Sequence, residues 1–320
     1  MTRPVAPLSL DLDNKWSYLM THGDASWDTY PSYLSVLVPR VLDFLDKRGL
    51  KITFFVVGRD ATMDQHRDLL GELARRGHRI ANHSFGHLPW LQRFTPAQVT
   101  DELERSEEAI EAATGHRPRG FRGPGFSMSD EVIAQLGRRG YLYDATVFPN
   151  ILSPIGRAYY LRTTDLSPEE RAQREELFGT LSTAFRPNKP FAWKLGVGES
   201  LIEVPVTTLP GLRTPIHLSY LTYLGGKARP VASAYFRTAL TFCRLVGNPP
   251  SMLLHPLDFI GADDDRDLGF FPGMDLISER KLELAHGFLD QLEESYALVP
   301  MEDYVAGVAI DTVRVPDYSV

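Results

Sequence analysis

The chain contains two histidines four positions apart, His83 and His87, in the stretch NHSFGH. Ser84 follows the first histidine, so the stretch lacks the glutamate that acts as general base in H-E-x-x-H zinc proteases. Two histidines at this spacing can bind one metal ion from a helix face or from a loop after a strand. Spacing alone also allows one histidine in the core and one at the surface. A metal site would therefore need a third ligand and a base from elsewhere in the chain.

Two aspartates near the N-terminus, Asp11 and Asp13 in SLDLDNKW, alternate with apolar residues at the end of a predicted strand. Period two directs both carboxylates to the same side of the strand. One could ligate a cation while the other stays free as a base. A helix cap or a solvated turn would explain one aspartate, but two like charges so placed repel each other unless a positive group lies between them.

Two histidines and one aspartate leave coordination positions on zinc for water and substrate, which is the pattern of catalytic zinc sites. Imidazole and oxygen ligands also suit cobalt, nickel, manganese or iron, so the donor set predicts a divalent metal without selecting one.

Two further stretches supply groups for the same chemistry. FRGPGFS contains Arg122, which would keep Asp11 ionised if it lay beside it, and a turn in which the Gly125 N–H can face an oxyanion. SMLLHPLDF places His255 after an apolar strand, where it can protonate a leaving group near neutral pH. A surface turn and a core histidine would explain either stretch alone. The prediction rests on their occurrence together, each at a predicted strand end.

The elements that must position these residues alternate between short apolar strands and amphipathic helices in the first half of the chain. This order predicts a parallel sheet with helices outside it, and functional groups gather at the carboxyl ends of such strands. Residues 151–190 interrupt the alternation, and SPEERAQREELFGTLSTAF predicts one inserted amphipathic helix that begins with a capping box of Ser167 and Glu170. We expect a single domain over residues 1–320, since no repeat or linker is evident.

Composition excludes several classes of protein. The 320 residues are 43% hydrophobic and carry a formal net charge of −7, which offers no electrostatic attraction to nucleic acid. The single cysteine, Cys243, excludes an internal disulfide and a cysteine metal site, and we expect it to be buried. No apolar run is long enough for a transmembrane helix, and the N-terminus lacks the pattern of a secretory signal. We therefore expect a cytoplasmic protein.

In their order, the stretches SLDLD, HSFGH, FRGPGFS and LLHP resemble the motifs of the polysaccharide deacetylases, the NodB-homology superfamily of carbohydrate esterases. The resemblance covers roughly residues 5 to 310 and implies a distorted (β/α)7-type barrel, into which residues 151–190 would form the helical insertion predicted above. It also implies one divalent metal ion, usually zinc. The residues that match the family's metal ligands are Asp13, His83 and His87. The residues that match its catalytic groups are Asp11 as base, Arg122 as the partner of the base, Gly125 as oxyanion-hole amide and His255 as acid.

Two departures from the family pattern bear on the substrate and on the acid. Many members have adjacent aspartates in the first motif, whereas the spaced Asp11 and Asp13 resemble a branch with intracellular peptidoglycan-deacetylase-like and allantoinase-like members. The family's aspartate before a tryptophan, which tunes the acid histidine, is not evident. Asp144 and Asp258 are the candidates to replace it.

Three functions fit these residues. The resemblance implies removal of an N-acetyl group from an amino sugar or glycan precursor, by hydrolysis of a carbon–nitrogen bond that is not a peptide bond. The same site could deformylate a sugar or hydrolyse a non-sugar amide or ureide. A metal-free carbohydrate-binding protein is disfavoured because every ligand and the base are present. Trp16, Trp90 and Trp193 could stack on a sugar or pack in the core. Intracellular relatives in this branch often form homo-oligomers, so one is possible here.

Overall fold

The structure is a computed structural model, and it describes residues 3–164, 166–174, 177, 181–195 and 200–307. The strands in the described residues are β1 (Val5–Leu12), β2 (Thr53–Val56), β3 (Arg79–Asn82), β4 (Gly120–Phe121), β5 (Tyr143–Asp144), β6 (Phe191–Lys194), β7 (Ser200–Glu203), β8 (Met252–Leu254) and β9 (Ala297–Val299).

The helices are α1 (Lys15–His22), α2 (Leu34–Asp46), α3 (Gly58–Thr62), α4 (Asp64–Arg75), α5 (Pro96–Thr114), α6 (Asp130–Arg138), α7 (Ser153–Thr163), α8 (Pro168–Gln173), α9 (Leu181–Ala184), α10 (Leu218–Leu245), α11 (Ser278–Ser295) and α12 (Met301–Gly307). Over the part of the chain that the structure describes, none of them has the length and apolarity needed to span a membrane.

The centre of the molecule is a sheet of seven parallel strands in the order β7-β5-β4-β3-β2-β1-β8. Strand β6 lies antiparallel to β7 at one edge, and β9 pairs in parallel with β1. Between the described residues of β7 and β8 there is no strand pairing, so the barrel stays open. The Thr207 N–H nevertheless donates to the Ser251 carbonyl at 3.2 Å across this gap. The predicted distorted (β/α)7-type barrel is confirmed.

The central strands are apolar on both faces because helices cover both sides of a parallel sheet. Strand β2, with the sequence TFFV, is buried at every position. The largest apolar cluster lies between β1, β2 and β8 and the helices α2, α10 and α11, and it includes Leu10, Phe54 and Phe236. Cys243 is buried in this cluster, as expected from the sequence. Burying each such large side chain contributes roughly 1.5–3 kcal/mol to folding.

The sequence predicts one inserted helix in the segment 151–190, whereas the structure has several short helices there. The capping box is confirmed, because Ser167 and Glu170 exchange side-chain to backbone hydrogen bonds at the start of α8. The helix ends at Gln173, however, and Arg174 instead donates to the carbonyls of Met20 at 3.2 Å and Thr21 at 3.1 Å, in the last turn of α1. The rest of the predicted helix lies partly outside the described residues, and α9 is a separate short helix.

Candidate active site

The side chains predicted to do chemistry lie at one edge of the sheet, where the parallel strands end. Asp13 directly follows β1, His83 follows β3, Arg122 follows β4 and His255 follows β8. Asp11 is the second-to-last residue of β1, two residues before Asp13. Because parallel strands present their carboxyl ends at the same edge, residues far apart in sequence converge there.

Asp13, His83 and His87 form a buried group of possible metal ligands, with their donor atoms within 4.8 Å of one another. Asp13 Oδ1 lies 2.9 Å from His87 Nε2 and 3.2 Å from His83 Nε2. The other ring nitrogen of His83, Nδ1, lies 2.7 Å from the carbonyl of Arg122, to which it must donate because a carbonyl only accepts.

This tautomer decides what the group can bind. In a neutral imidazole, protonation at Nδ1 leaves a lone pair on Nε2, which here faces the Asp13 carboxylate. Two acceptors this close require a proton or a cation between them. Donation of the outer ring nitrogen to a backbone carbonyl is also the arrangement that orients histidines as metal ligands. The donor set of Asp13, His83 and His87 therefore fits a divalent cation.

The opposite charges of Asp13 and the two histidines shift one another's pKa. Burial would raise the pKa of Asp13, but the imidazoles of His87 and His83 outweigh it and hold that pKa well below the usual range. Burial would lower the pKa of His83, but the carboxylates of Asp11 and Asp13 outweigh it and raise the pKa. Asp13 is therefore ionised at neutral pH, as a metal ligand must be.

Two residues of the loop that carries His87 have a left-handed backbone conformation, which residues other than glycine rarely adopt. Ser84 and His87 have φ angles of 62° and 50°, and each such residue costs of order 1–3 kcal/mol. Glu102 of α5 compensates by accepting hydrogen bonds from the N–H groups of Phe85 at 3.0 Å and Gly86 at 2.9 Å. The sequence analysis missed Glu102, whose only signal is an acid within the buried face of α5.

Asp11 and Arg122 form a buried ion pair, with 2.6 Å between Asp11 Oδ1 and Arg122 Nη1. Arg122 also donates to the carbonyl of Ala145 at 2.9 Å and to Ser9 Oγ at 3.0 Å, so its guanidinium is fixed in place. The second oxygen of Asp11, Oδ2, lies 4.0 Å from His83 Nε2. Arg122 thus occupies one carboxylate oxygen and leaves the other directed towards the possible metal ligands.

His255 faces this second oxygen from the end of the neighbouring strand β8, with 3.9 Å between its Nε2 and Asp11 Oδ2. Its backbone N–H donates to Asp258 at 2.7 Å, and its Nδ1 lies 3.0 Å from the hydroxyl of Ser219 in the first turn of α10. Of the two aspartates considered as partners of His255, Asp258 is therefore in contact with it. Asp144 instead bonds to the side chains of Thr146 and Glu203.

Gly125 lies in the turn Pro124–Phe126, three residues after Arg122, with a φ of 59°. A Cβ at this position would lie 2.7 Å from Pro89 Cβ, so both backbone conformation and space require glycine. The same Cβ would lie 3.4 Å from the side chain of Leu177, which belongs to the segment 151–190. The turn is therefore packed between the loop after His87 and this segment.

The tryptophans considered as sugar-stacking residues have different environments. Trp16 and Trp193 are buried, and their indole N–H groups donate to Asp60 and Glu203, each at 3.0 Å. These two pack in the interior. Trp90 is partly exposed, with the guanidinium of Arg174 4.8 Å from its ring centre.

A second set of aromatic rings, which the sequence analysis did not identify, lies beside His255. The His217 ring is 6.0 Å from the His255 ring and 5.5 Å from Phe148, and Phe126 is 4.7 Å from Phe148. Tyr220 continues this row, 6.3 Å from His217. We call these four residues, Phe126, Phe148, His217 and Tyr220, the aromatic row.

Comparison with known proteins identifies relatives of part of the chain. Residues 24–143 match the model of the polysaccharide deacetylase family. The peptidoglycan-N-acetylmuramic acid deacetylase PdaA of Bacillus subtilis is 36% identical over 110 residues, which are 34% of this chain and 41% of the relative. The chitooligosaccharide deacetylase of a Bradyrhizobium species is 34% identical over 103 residues, which are 32% of this chain and 46% of the relative.

These matches are partial. The chain spans less than half of the curated relatives it matches, between 23% and 46% of their lengths. The family match contains His83, His87, Arg122 and Gly125, whereas the two N-terminal aspartates and His255 lie outside it. A crystal structure from Mycobacterium smegmatis, described as a "putative polysaccharide deacetylase", has a TM-score of 0.59 and 20% identity over 96% of this chain and 95% of that chain. It shows the same fold.

Proposed function

We propose that the protein removes an N-acetyl group from an amino sugar or a glycan precursor, and the match of residues 24–143 to the polysaccharide deacetylase family model supports this proposal. The reaction is hydrolysis of an amide and yields acetate and a free amine. One observation carries the proposal: Asp11 Oδ2 lies 4.0 Å from His83 Nε2 and 3.9 Å from His255 Nε2. A carboxylate base, a histidine acid and a possible metal ligand thus meet at one point.

Asp13, His83 and His87 would hold one divalent cation, for which we propose zinc, although cobalt, nickel, manganese or iron suits the same donors. A bound cation of this kind polarises the acyl carbonyl and lowers the pKa of water. The contribution of the chain is to present the ligands in a deprotonated form. The Arg122 carbonyl accepts a hydrogen bond from Nδ1–H of His83, which sets the tautomer and leaves the Nε2 lone pair for the cation.

Asp11 is the proposed base. Arg122 binds its Oδ1, which leaves Oδ2 free to take a proton from the attacking water. The Gly125 N–H is the proposed donor to the negative charge that develops on the acyl oxygen. His255 Nε2 gives a proton to the nitrogen as the carbon–nitrogen bond breaks, because an unprotonated amine anion is a very poor leaving group.

The surroundings of His255 favour a sugar as substrate. The aromatic row lies beside this histidine, with the His217 ring 6.0 Å from the His255 ring. Aromatic faces contribute apolar contact area to a ring-shaped ligand, while the edges of His217 and Tyr220 offer polar atoms. The two relatives named above are, by name, a peptidoglycan-N-acetylmuramic acid deacetylase and a chitooligosaccharide deacetylase.

The test is a substrate panel with zinc-supplemented protein. The panel contains N-acetylglucosamine oligomers, peptidoglycan fragments, nucleotide-linked N-acetyl sugars, formamido-sugars and ureides, assayed for acetate, formate and ammonia. We expect acetate and amine in equal amounts from at least one N-acetylated sugar, and no release by the Asp11→Asn variant. Release of only formate or only ammonia would show that the same site serves a different amide.

A further inference from the structure

A buried carboxylate outside the active site, Asp60, binds the residues that follow Asp13. Asp60 belongs to the short helix α3 and is 1% exposed. Its Oδ1 accepts hydrogen bonds from Asn14 Nδ2 at 2.8 Å and from the indole N–H of Trp16 at 3.0 Å. Asn14 directly follows Asp13 in the chain, and both donors are fully buried. Without Asp60, these two donors would be buried without an acceptor.

Asn14 connects this contact to Asp13, because the rest of its amide is also bound. Its Oδ1 accepts hydrogen bonds from the N–H groups of Lys15 at 2.8 Å and Tyr33 at 3.3 Å. The Tyr33 hydroxyl donates in turn to the backbone carbonyl of Asp13 at 2.9 Å. The chain that leaves β1 is therefore fixed from two sides, by Tyr33 and by Asp60, and this fixes the direction of the Asp13 side chain.

Helix α3 also holds the loop between the two histidines. The N–H of Gly58 donates to the carbonyl of Ser84 at 2.8 Å, and the N–H of Arg59 donates to the carbonyl of Phe85 at 3.0 Å. A Cβ at Gly58 would lie 2.7 Å from Cα of Ser106, so α3 is packed closely against α5. Helix α3 thus contacts both segments that carry possible metal ligands, one through its backbone and the other through its carboxylate.

His66 of α4 fixes Asp60 from the other side. Its Nδ1 lies 3.3 Å from the backbone carbonyl of Asp60, to which it must donate because a carbonyl only accepts. Its Nε2 lies 3.0 Å from Ser32 Oγ. The second carboxylate oxygen of Asp60, Oδ2, is buried and has no hydrogen-bond partner among the residues that the structure describes. Asp60 therefore holds the start of α1 through Oδ1.

We propose that Asp60 is a positioning residue for the metal site and acts through Asn14. It sets where the carboxylate of Asp13 lies relative to His83 and His87, whose donor atoms lie within 4.8 Å of one another and of Asp13. Loss of Asp60 would release the Asp13 side of the site and leave the histidine loop bound to α3. This inference rests on the proposed function, in which these three residues hold the metal.

The test measures the zinc affinity of chelator-treated protein by competition with a chromophoric chelator, in the absence of substrate. We expect Asp60→Ala to weaken zinc binding by about 10- to 100-fold, the usual effect of removing a residue that orients a ligand. Asn14→Ser keeps a capping oxygen for α1 but loses the amide that binds Asp60, so it should weaken binding by a similar factor.

A double variant and a conservative variant test the route through Asn14. Because the two residues act through one contact, Asp60→Ala combined with Asn14→Ser should bind zinc within about twofold of the weaker single variant. Asp60→Asn keeps an acceptor oxygen on a side chain of the same shape and should stay within about threefold of the wild type. Multiplied losses in the double variant would overturn the route through Asn14.

Glu203→Ala is the matched control. Glu203 is also buried and also accepts an indole N–H, that of Trp193, at 3.0 Å. Its other acceptor contact is with the Val147 N–H at 2.9 Å, away from the segments that carry the ligands. We expect Glu203→Ala to bind zinc within about twofold of the wild type, although it too leaves buried donors without an acceptor. Trp16→Phe, which leaves the bond between Asn14 and Asp60 in place, should do the same.

Cobalt in place of zinc reports the arrangement of the ligands, which a general loss of stability would not change. The visible absorption of bound Co²⁺ depends on its coordination geometry, so the spectrum should change in Asp60→Ala and Asn14→Ser but not in Glu203→Ala. Circular dichroism checks that each variant is folded, and Asn14→Ser carries the same test should Asp60→Ala not fold.

Three results would separate the claims. Zinc affinity of Asp60→Ala within about twofold of the wild type, or an equal loss in Glu203→Ala, would overturn the role of Asp60. A wild type that binds zinc but releases no acetate from any N-acetylated sugar would refute only the proposed function. A wild type that binds no zinc would overturn both.

Discussion

Replacing Arg122 with methionine should destabilise the protein by about 3–5 kcal/mol, because it leaves the Asp11 carboxylate buried without its positive partner. Arg122 is 0% exposed and Asp11 3% exposed, and their charged atoms are 2.6 Å apart. Neither group can recover its hydration when the other is removed. A change of this size is a large part of the roughly 5–15 kcal/mol that stabilises a typical domain.

Part of this loss does not involve Asp11. The carbonyl of Ala145 and the hydroxyl of Ser9 also lose a donor in Arg122→Met, and an unsatisfied buried acceptor costs about 1–3 kcal/mol. A double-mutant cycle separates the terms. Asp11→Asn and Arg122→Met each leave one unpaired charge or acceptor, but the double variant buries no unpaired charge. We expect it to be more stable than the sum of the single losses by about 2–3 kcal/mol.

The assay is urea unfolding of chelator-treated protein, followed by circular dichroism at neutral pH, so that metal binding does not contribute. Lys47→Met is the matched control, because Lys47 and Asp43 are also 2.6 Å apart but about two-thirds exposed, at 65% and 64%. This exposed pair should contribute no more than about 0.5 kcal/mol. If the losses from Asp11→Asn and Arg122→Met simply add, within about 0.5 kcal/mol, the buried ion pair does not have the role argued above.

Three further predictions concern the turn at Gly125 and two buried titratable groups, Glu203 and His78. Gly125→Ala should lower kcat, because the φ of 59° and the contact with Pro89 force the turn to shift; kinetics with metal content measured in parallel would show it, and an unchanged kcat would count against a role for the turn. Burial and the adjacent Asp144 raise the pKa of Glu203 well above 4.5, so the stability that its protonation contributes is lost as pH rises above that value. Glu203→Gln should flatten this part of the pH–stability curve, and a curve parallel to that of the wild type would contradict the raised pKa of Glu203. Burial lowers the pKa of His78 to about 4, so its contribution to stability is present above pH 6.5 and lost as pH falls towards 4. His78→Gln should remove that acid limb in urea unfolding, and an unchanged limb would contradict the lowered pKa of His78.

Sequence reasoning succeeds where local pattern and sheet geometry coincide. Asp13, His83 and His255 each follow an apolar stretch that forms a parallel strand, so convergence at one edge follows from the alternation of strands and helices. The same reasoning applies to Arg122 after β4. The roles of these residues remain proposals, since geometry shows proximity and the experiments above test chemistry.

The contacts that sequence could not supply come from helices far away in the chain. Ser219 and Glu102 are ordinary residues of α10 and α5, and their importance depends on how those helices pack against the loops after β8 and β3. The sequence pattern does not predict the end of α8 for a similar reason, because Arg174 donates hydrogen bonds to two carbonyls of α1. Asp144 and Asp258 were indistinguishable by sequence, since each simply follows or ends a strand-like run.

The division of labour between the two aspartates of β1 is the central claim, and metal content measured together with kcat tests it most directly. Asp11→Asn and Asp13→Asn are isosteric and two residues apart, which makes each the control for the other. We predict that Asp13→Asn loses both metal and activity. Asp11→Asn should keep about one metal ion per chain while kcat falls by about 100-fold or more. Loss of metal from Asp11→Asn, or near-normal kcat with metal bound, would contradict the account.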